Sequence, residues 1–224
     1  MKKIISILLV VILTIILVLT LSKNIKNGLE FKLDYEEING KENKMGKIHR
    51  EVNISKNNKF VEITQEELVK KVENKETFYV YFGSRLCPWC RSTIEKADEI
   101  SRKNKIDKIY YIDIWDNEGN EIFRDKYELN KENELKLVYK GTKSYKKMLK
   151  VLDNLLEEYT LTDSEGNSVD VGEKRIYAPN YAYIKNGKAI RLVTGISDKQ
   201  EDSREKLTKD ILKDETNIFN KFFK

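Results

Sequence analysis

The 224-residue chain carries 42 lysines and arginines against 37 acidic residues, a net charge of +5, with one histidine, two cysteines and two prolines. The positive charge is thinly spread and forms no basic stripe interleaved with aromatics, which argues against a nucleic-acid partner. The lone His49 argues against a histidine triad or a histidine-rich metal site.

Lys2 and Lys3 precede an apolar run, Ile4 to Leu21, broken only by Ser6, Thr14 and Thr20. The run is long enough to cross a bilayer core, so residues 1–22 are expected to form a transmembrane signal-anchor. Thr20-Leu21-Ser22 leaves a second reading open, cleavage as a signal peptide and secretion. Lys23 and Lys26 beyond the run leave little positive-inside asymmetry. The short charged start followed at once by the apolar stretch is nevertheless the layout of an export signal. The domain is therefore expected on the extracytoplasmic side of a single-pass protein. Residues 23–58, rich in Asn and Gly, read as a polar stalk with a short strand around Leu29 to Leu33.

The domain proper is expected over 59–224. Thr64 with Glu67 is a capping-box pattern opening a helix that ends near Asn74. Thr77 to Phe82 is uncharged and rich in aromatic and β-branched residues, as befits a strand covered on both faces. Gly83 and Ser84 break it, and Cys87-Pro88-Trp89-Cys90 follows. From there Cys90, Ile94, Ala97 and Ser101 recur at helical spacing. Lys108 to Ile114 reads as the next strand, parallel to the first.

Residues from about 117 to 175 form an insertion. Phe123 and Tyr127 are expected to face inward from a short helix, and Tyr145, Met148, Leu149, Leu152, Leu156 and Tyr159 from a longer one. A hairpin follows over Tyr159 to Leu161 and Val169 to Val171. A second joins Tyr181 to Ile184 with Ala189 to Thr194 through Asn186-Gly187, the pair that supplies a type I′ turn. Ser197 with Gln200 marks the start of a closing helix bearing Leu207, Ile211 and Ile218.

Both cysteines and one of the two prolines fall within one tetrapeptide, at the join of strand and helix. A helix N-terminus offers unsatisfied N–H groups and partial positive charge, which favour a thiolate. Cys87 sits there and is the expected nucleophile. Pro88 suits the first helical position. Cys90, one turn in, is the expected resolving thiol. Arg85 and Arg91 flank the turn; either they lower the Cys87 pKa or they are solvated surface charges. Trp89 is either an exposed ring that touches substrate or a packed aromatic. The dithiol cycle needs no cofactor and no metal.

Two stretches, Tyr79-Val-Tyr-Phe-Gly-Ser-Arg-Leu-Cys-Pro-Trp-Cys90 and Tyr177-Ala-Pro-Asn-Tyr-Ala-Tyr-Ile-Lys-Asn-Gly187, in this order, resemble the thioredoxin superfamily over about residues 60 to 215. Within it the chain is similar to the membrane-anchored Gram-positive proteins described as bacteriocin transport accessory proteins. The resemblance implies an α/β fold: a thioredoxin-like central mixed sheet flanked by helices, with a helical and hairpin insertion before a cis-proline loop. It implies that Pro179 follows a cis bond opposite the dithiol, with Ala178 turned toward substrate. It also implies a thiol–disulfide oxidoreductase acting on exported protein or peptide thiols and disulfides; for an anchored reductase a membrane redox partner is the expected electron donor. A non-catalytic accessory module that binds a secreted peptide, such as a bacteriocin, is the alternative. Thioredoxins proper carry a buried aspartate where this chain has Tyr81 and a tryptophan where it has Leu86, so the direction of electron flow stays open.

Overall fold

The computed structural model describes residues 2–224, the side chains of 2–8, 17, 18 and 20–25 aside. At its centre is a five-stranded mixed sheet flanked by helices. The sheet is built from β1 (Phe60–Glu62), β2 (Phe78–Gly83), β3 (Ile109–Asp113), β8 (Asn180–Lys185) and β9 (Lys188–Val193). Its spatial order is β1-β3-β2-β8-β9, in which β1, β3 and β2 run parallel, β8 pairs antiparallel with β2, and β9 pairs antiparallel with β8. The Asn186-Gly187 turn joins β8 to β9 with both residues at positive φ, +52° and +73°, as a type I′ turn requires.

Alternation along β2 sends side chains to two cores. Tyr81 joins Ile94, Tyr111, Phe219 and both cysteines beneath α3 (Pro88–Lys103) and α5 (Lys209–Phe222). Val80 and Phe82 face the opposite side, with Leu68 of α2 (Gln65–Glu73) and Met148 and Leu152 of α4 (Lys143–Leu152). The capping box of α2 is complete: Thr64 Oγ1 accepts from the Glu67 N–H at 3.1 Å, and the Glu67 carboxylate accepts from the Thr64 N–H at 2.8 Å.

The expected stalk is replaced by structure. A single helix, α1 (Lys2–Glu36), runs through the supposed strand at Leu29 to Leu33 and delivers Phe31 and Tyr35 into the core, where Val52 and Ile54 join them. Gly28 lets α1 approach the following loop, since a Cβ there would lie 3.0 Å from the Lys56 carbonyl oxygen. Asn39 fastens the return, donating to the Val52 carbonyl at 2.8 Å and accepting its N–H at 3.0 Å. The packed unit therefore begins near residue 28 rather than 59. Among the described residues no helix is long and apolar enough to cross a membrane. The expected anchor, 1–22, falls in large part on side chains outside the described residues.

In the insertion, the short helix expected around Phe123 and Tyr127 is a hairpin of β4 (Lys126–Leu129) and β5 (Leu135–Tyr139). Phe123 does face inward, stacked on Phe82 at 5.8 Å. Helix α4 stops at Leu152, so Leu156 and Tyr159 lie beyond it, Tyr159 in β6 (Glu157–Thr162), which pairs with β7 (Ser168–Arg175). The closing helix is capped by Thr208, not Ser197. The Ser197 hydroxyl donates instead to Asp214 at 2.7 Å, and Gln200 reaches the Asp202 carbonyl at 3.1 Å.

Candidate active site

Cys87 is the N-cap of α3, with extended backbone (φ −77°, ψ 118°) and Pro88 in the first turn. Its Sγ accepts the Cys90 N–H at 3.3 Å, as a serine or aspartate oxygen does at an ordinary helix start. The Ala178–Pro179 peptide is cis, and the Cys87 thiol donates to the Ala178 carbonyl at 3.5 Å. The two motifs, 91 residues apart in sequence at this contact, thus meet at one sulfur. Both cysteines are free thiols; Cys87 keeps 4% of its surface exposed and Cys90 none.

The two thiols are electrically unequal. Burial pushes Cys87 up, but the hydrogen bond from the Cys90 thiol, the N–H groups of Cys90 and Trp89 and the charge of Arg124 outweigh it, bringing Cys87 below the ordinary thiol value. Burial pushes Cys90 well above that value, and its hydrogen bond to Cys87 and the charge on Cys87 add to the rise. Cys87 is the group that ionises first, in keeping with its expected role.

The structure gives Arg85 and Arg91 other work. The Arg85 guanidinium pairs with Glu37 and with Asp34 at 3.4 Å, and reaches Asn117 at 3.1 Å. Arg91 is 1% exposed. It donates to the carbonyls of Arg50 (2.7 Å), Tyr35 (2.8 Å) and Arg85 (3.2 Å) and to Asn39 Oδ1, pinning the end of α1 and the loop after it onto α3. Neither is a solvated charge, and neither is the cation felt most strongly by Cys87. That cation is Arg124, contributed by the insertion. It is buried, held by Glu121 at 2.7 Å and donates to the Ile176 carbonyl at 3.2 Å. Arg175 shares Glu121 at 3.5 Å, so the cluster of two cations and one carboxylate carries a net positive charge. Only the Glu121/Arg124 spacing hinted at this in a chain where basic residues are everywhere.

Trp89 is half-buried and lines a cavity of about 500 Å³ with Ala178, Pro179, Asn180 and the chain from Leu192 to Ile196. Its ring is thus both packed and available at the cavity wall. Asp113, in register with Gly83, lies beside the turn. Burial pushes its carboxyl up to about 6, against the hydrogen bond from the Trp115 N–H at 3.0 Å.

Because the thiolate is the alkylated form, the rate of Cys87 alkylation by iodoacetamide is expected to rise with pH through a midpoint below the ordinary thiol value. Arg124→Met is expected to move that midpoint upward and Arg124→Lys to leave it nearly in place. An unmoved midpoint in Arg124→Met would deny the insertion any electrostatic part in the site.

No protein-family model matches the chain, and no curated protein is similar to it.

Proposed function

We propose that the protein is a thiol–disulfide oxidoreductase of thioredoxin-like fold, held at the membrane by its N-terminal helix with the dithiol outside the cytoplasm. The observation that carries the reading is the placement of the Cys87 sulfur: at a helix N-terminus, against the Cys90 N–H, and 3.5 Å from the carbonyl that precedes the cis proline. A substrate cysteine that bonded to Cys87 would lie against the Ala178 to Asn180 edge and the Trp89 cavity. The substrates are proteins or peptides with exchangeable disulfides, met where an oxidising environment maintains them. The anchor reading is supported by the Ile4 to Leu21 run and by the exposure of Leu9, Ile12, Leu13, Ile15 and Leu19, a stretch of apolar surface that water disfavours. A membrane-borne redox partner would recycle the pair.

In the reducing direction the Cys87 thiolate attacks a substrate disulfide. One substrate sulfur leaves with the electron pair of the broken S–S bond and takes up a proton. Cys90 then attacks Cys87 and releases the second substrate thiol, so two electrons pass to the substrate and a Cys87–Cys90 disulfide remains. Oxidation runs the same steps backward.

The test is equilibration of the full-length protein in detergent against glutathione or dithiothreitol, reading the fraction oxidised. A reversible two-electron couple is expected. A potential near about −270 mV would fit a reductase, and one near about −120 mV an oxidant of exported proteins. Absence of any couple would overturn the enzyme reading in favour of a peptide-binding module.

A further inference from the structure

Two buried side chains near the dithiol keep polar atoms without partners, one a donor and the other an acceptor. Arg175, the last residue of β7, is 7% exposed. Its guanidinium lies 4.0 Å over the Tyr159 ring and meets Glu121 through Nη2 at 3.5 Å, but its buried Nη1 has no hydrogen-bond partner. Glu121 has little left to give. Its two oxygens already accept from the Arg124 Nε and Nη2 donors, from the Arg124 backbone N–H at 3.0 Å and from the Trp115 indole N–H at 3.2 Å, about what one carboxylate can take. Asn180, the first residue of β8, is 4% exposed, and its Oδ1 is likewise buried and unpartnered. Orphaned polar atoms at such depth are costly.

Both residues line the cavity beside the dithiol, whose apolar wall includes Trp89, Pro179 and Ile218. Glu157, the cross-strand partner of Arg175, lines it too, but it is exposed and makes no ion pair with Arg175 among the described residues. The distances to the reacting sulfur are short along the chain. The Ala178 carbonyl accepts from Cys87; Asn180 is two residues on and Arg175 three residues back, spans of at most about 7 and 11 Å even when fully extended.

We propose that this cavity is a subsite for an acidic residue of the substrate, an aspartate or glutamate within two positions of the cysteine that Cys87 attacks, its carboxylate accepting from Arg175 Nη1 and its backbone N–H donating to Asn180 Oδ1. This deepens the oxidoreductase reading and rests on it. An incoming carboxylate would supply the anion that two cations sharing Glu121 lack, in a site where a charge-assisted hydrogen bond is worth more than at the surface. The Trp89 and Pro179 wall would cover the aliphatic part of the same side chain.

The experiment uses the reduced full-length protein in non-ionic detergent and the 2-pyridyl disulfides of two capped pentapeptides. Each has a central cysteine, with glutamates two positions to either side in one and glutamines in the other. The Cys87 sulfur bonds to the peptide sulfur, and pyridine-2-thione leaves with the electron pair and a proton, so its release reports the attack. Each rate is divided by that of the same peptide with dithiothreitol, which removes intrinsic differences between the peptides. At low ionic strength the wild-type protein is expected to prefer the glutamate peptide by about tenfold, the lower end for a hydrogen bond to a charged group. Arg175→Gln is expected to erase the preference, and Asn180→Ala to slow both peptides alike, because it meets the backbone. Lys174→Gln removes the same charge one residue away, where Lys174 is engaged with Asp153, and is expected to keep the preference. If Arg175→Gln does not fold, Glu157→Gln supplies the measurement: loss of the competing carboxylate is expected to raise the preference about twofold. Absence of a preference in the wild-type protein would overturn the proposal, as would its loss in Lys174→Gln, which would assign it to the general field, or an unmoved preference in Glu157→Gln and Arg175→Gln. If neither peptide reacts faster with the protein than with dithiothreitol, the dithiol reading itself falls, an outcome distinct from equal attack on both.

Discussion

Replacement of Cys90 by serine is expected to leave the protein able to attack disulfides but unable to finish, so that it accumulates as a one-to-one covalent adduct with its substrate. Replacement of Cys87 by serine is expected to reduce exchange to the uncatalysed background and yield no adduct. The asymmetry follows from the geometry. Cys87 has the residual exposure, the helix N-cap position and the lowered pKa, whereas Cys90 lies within the core with its thiol pushed up. A serine at 87 can still cap α3, since its oxygen accepts from the same N–H, so loss of exchange would be a loss of chemistry rather than of fold. Mass spectrometry of the adduct after trapping with a model peptide disulfide identifies the attached cysteine. An adduct through Cys90 in Cys87→Ser, formed at the wild-type rate, would reverse the assignment.

What the sequence revealed depended on how local the governing physics was. The α2 cap needs only Thr64 and Glu67, and the β8–β9 turn only Asn186 and Gly187. Cys87 and Pro88 likewise specify the start of α3 between them, and Pro179 was legible because the chain has so few prolines. The β4–β5 hairpin was not legible. Its strands are largely exposed on both faces, so no apolar alternation marks them, and Tyr127 alone resembles a helical position as readily as a strand one. Arg91 was not legible either, because a cation beside the turn reads either as lowering the Cys87 pKa or as a solvated charge. Its burial is made tolerable by carbonyls of residues 35, 50 and 85, remote in sequence. Arg124 was hidden for the same reason: its partner at the site, Cys87, lies far away in the chain.

The largest error of sequence reasoning leads to the second strong expectation. A fragment beginning at residue 59, the natural choice if 23–58 were a stalk, is expected not to fold, while one beginning at about residue 26 folds cooperatively. The shorter fragment lacks Phe31, Tyr35, Val52 and Ile54, all buried in the core that holds the dithiol. At about 1.5–3 kcal/mol for each buried side chain, their loss amounts to roughly 6–12 kcal/mol, comparable with the whole stability of a typical domain, about 5–15 kcal/mol. Arg91 would also keep only the Arg85 carbonyl of its four partners. Near-UV circular dichroism and thermal melts of the two fragments decide the matter. A cooperative transition in 59–224 within a few degrees of the longer fragment would make residues 28–58 an appendage. The expected outcome makes them part of the core around the dithiol, because Phe31 and Tyr35 pack in the same buried cluster as Tyr81 and both cysteines. The helix that carries the apolar N-terminal run would then be the same element that closes the core around the dithiol.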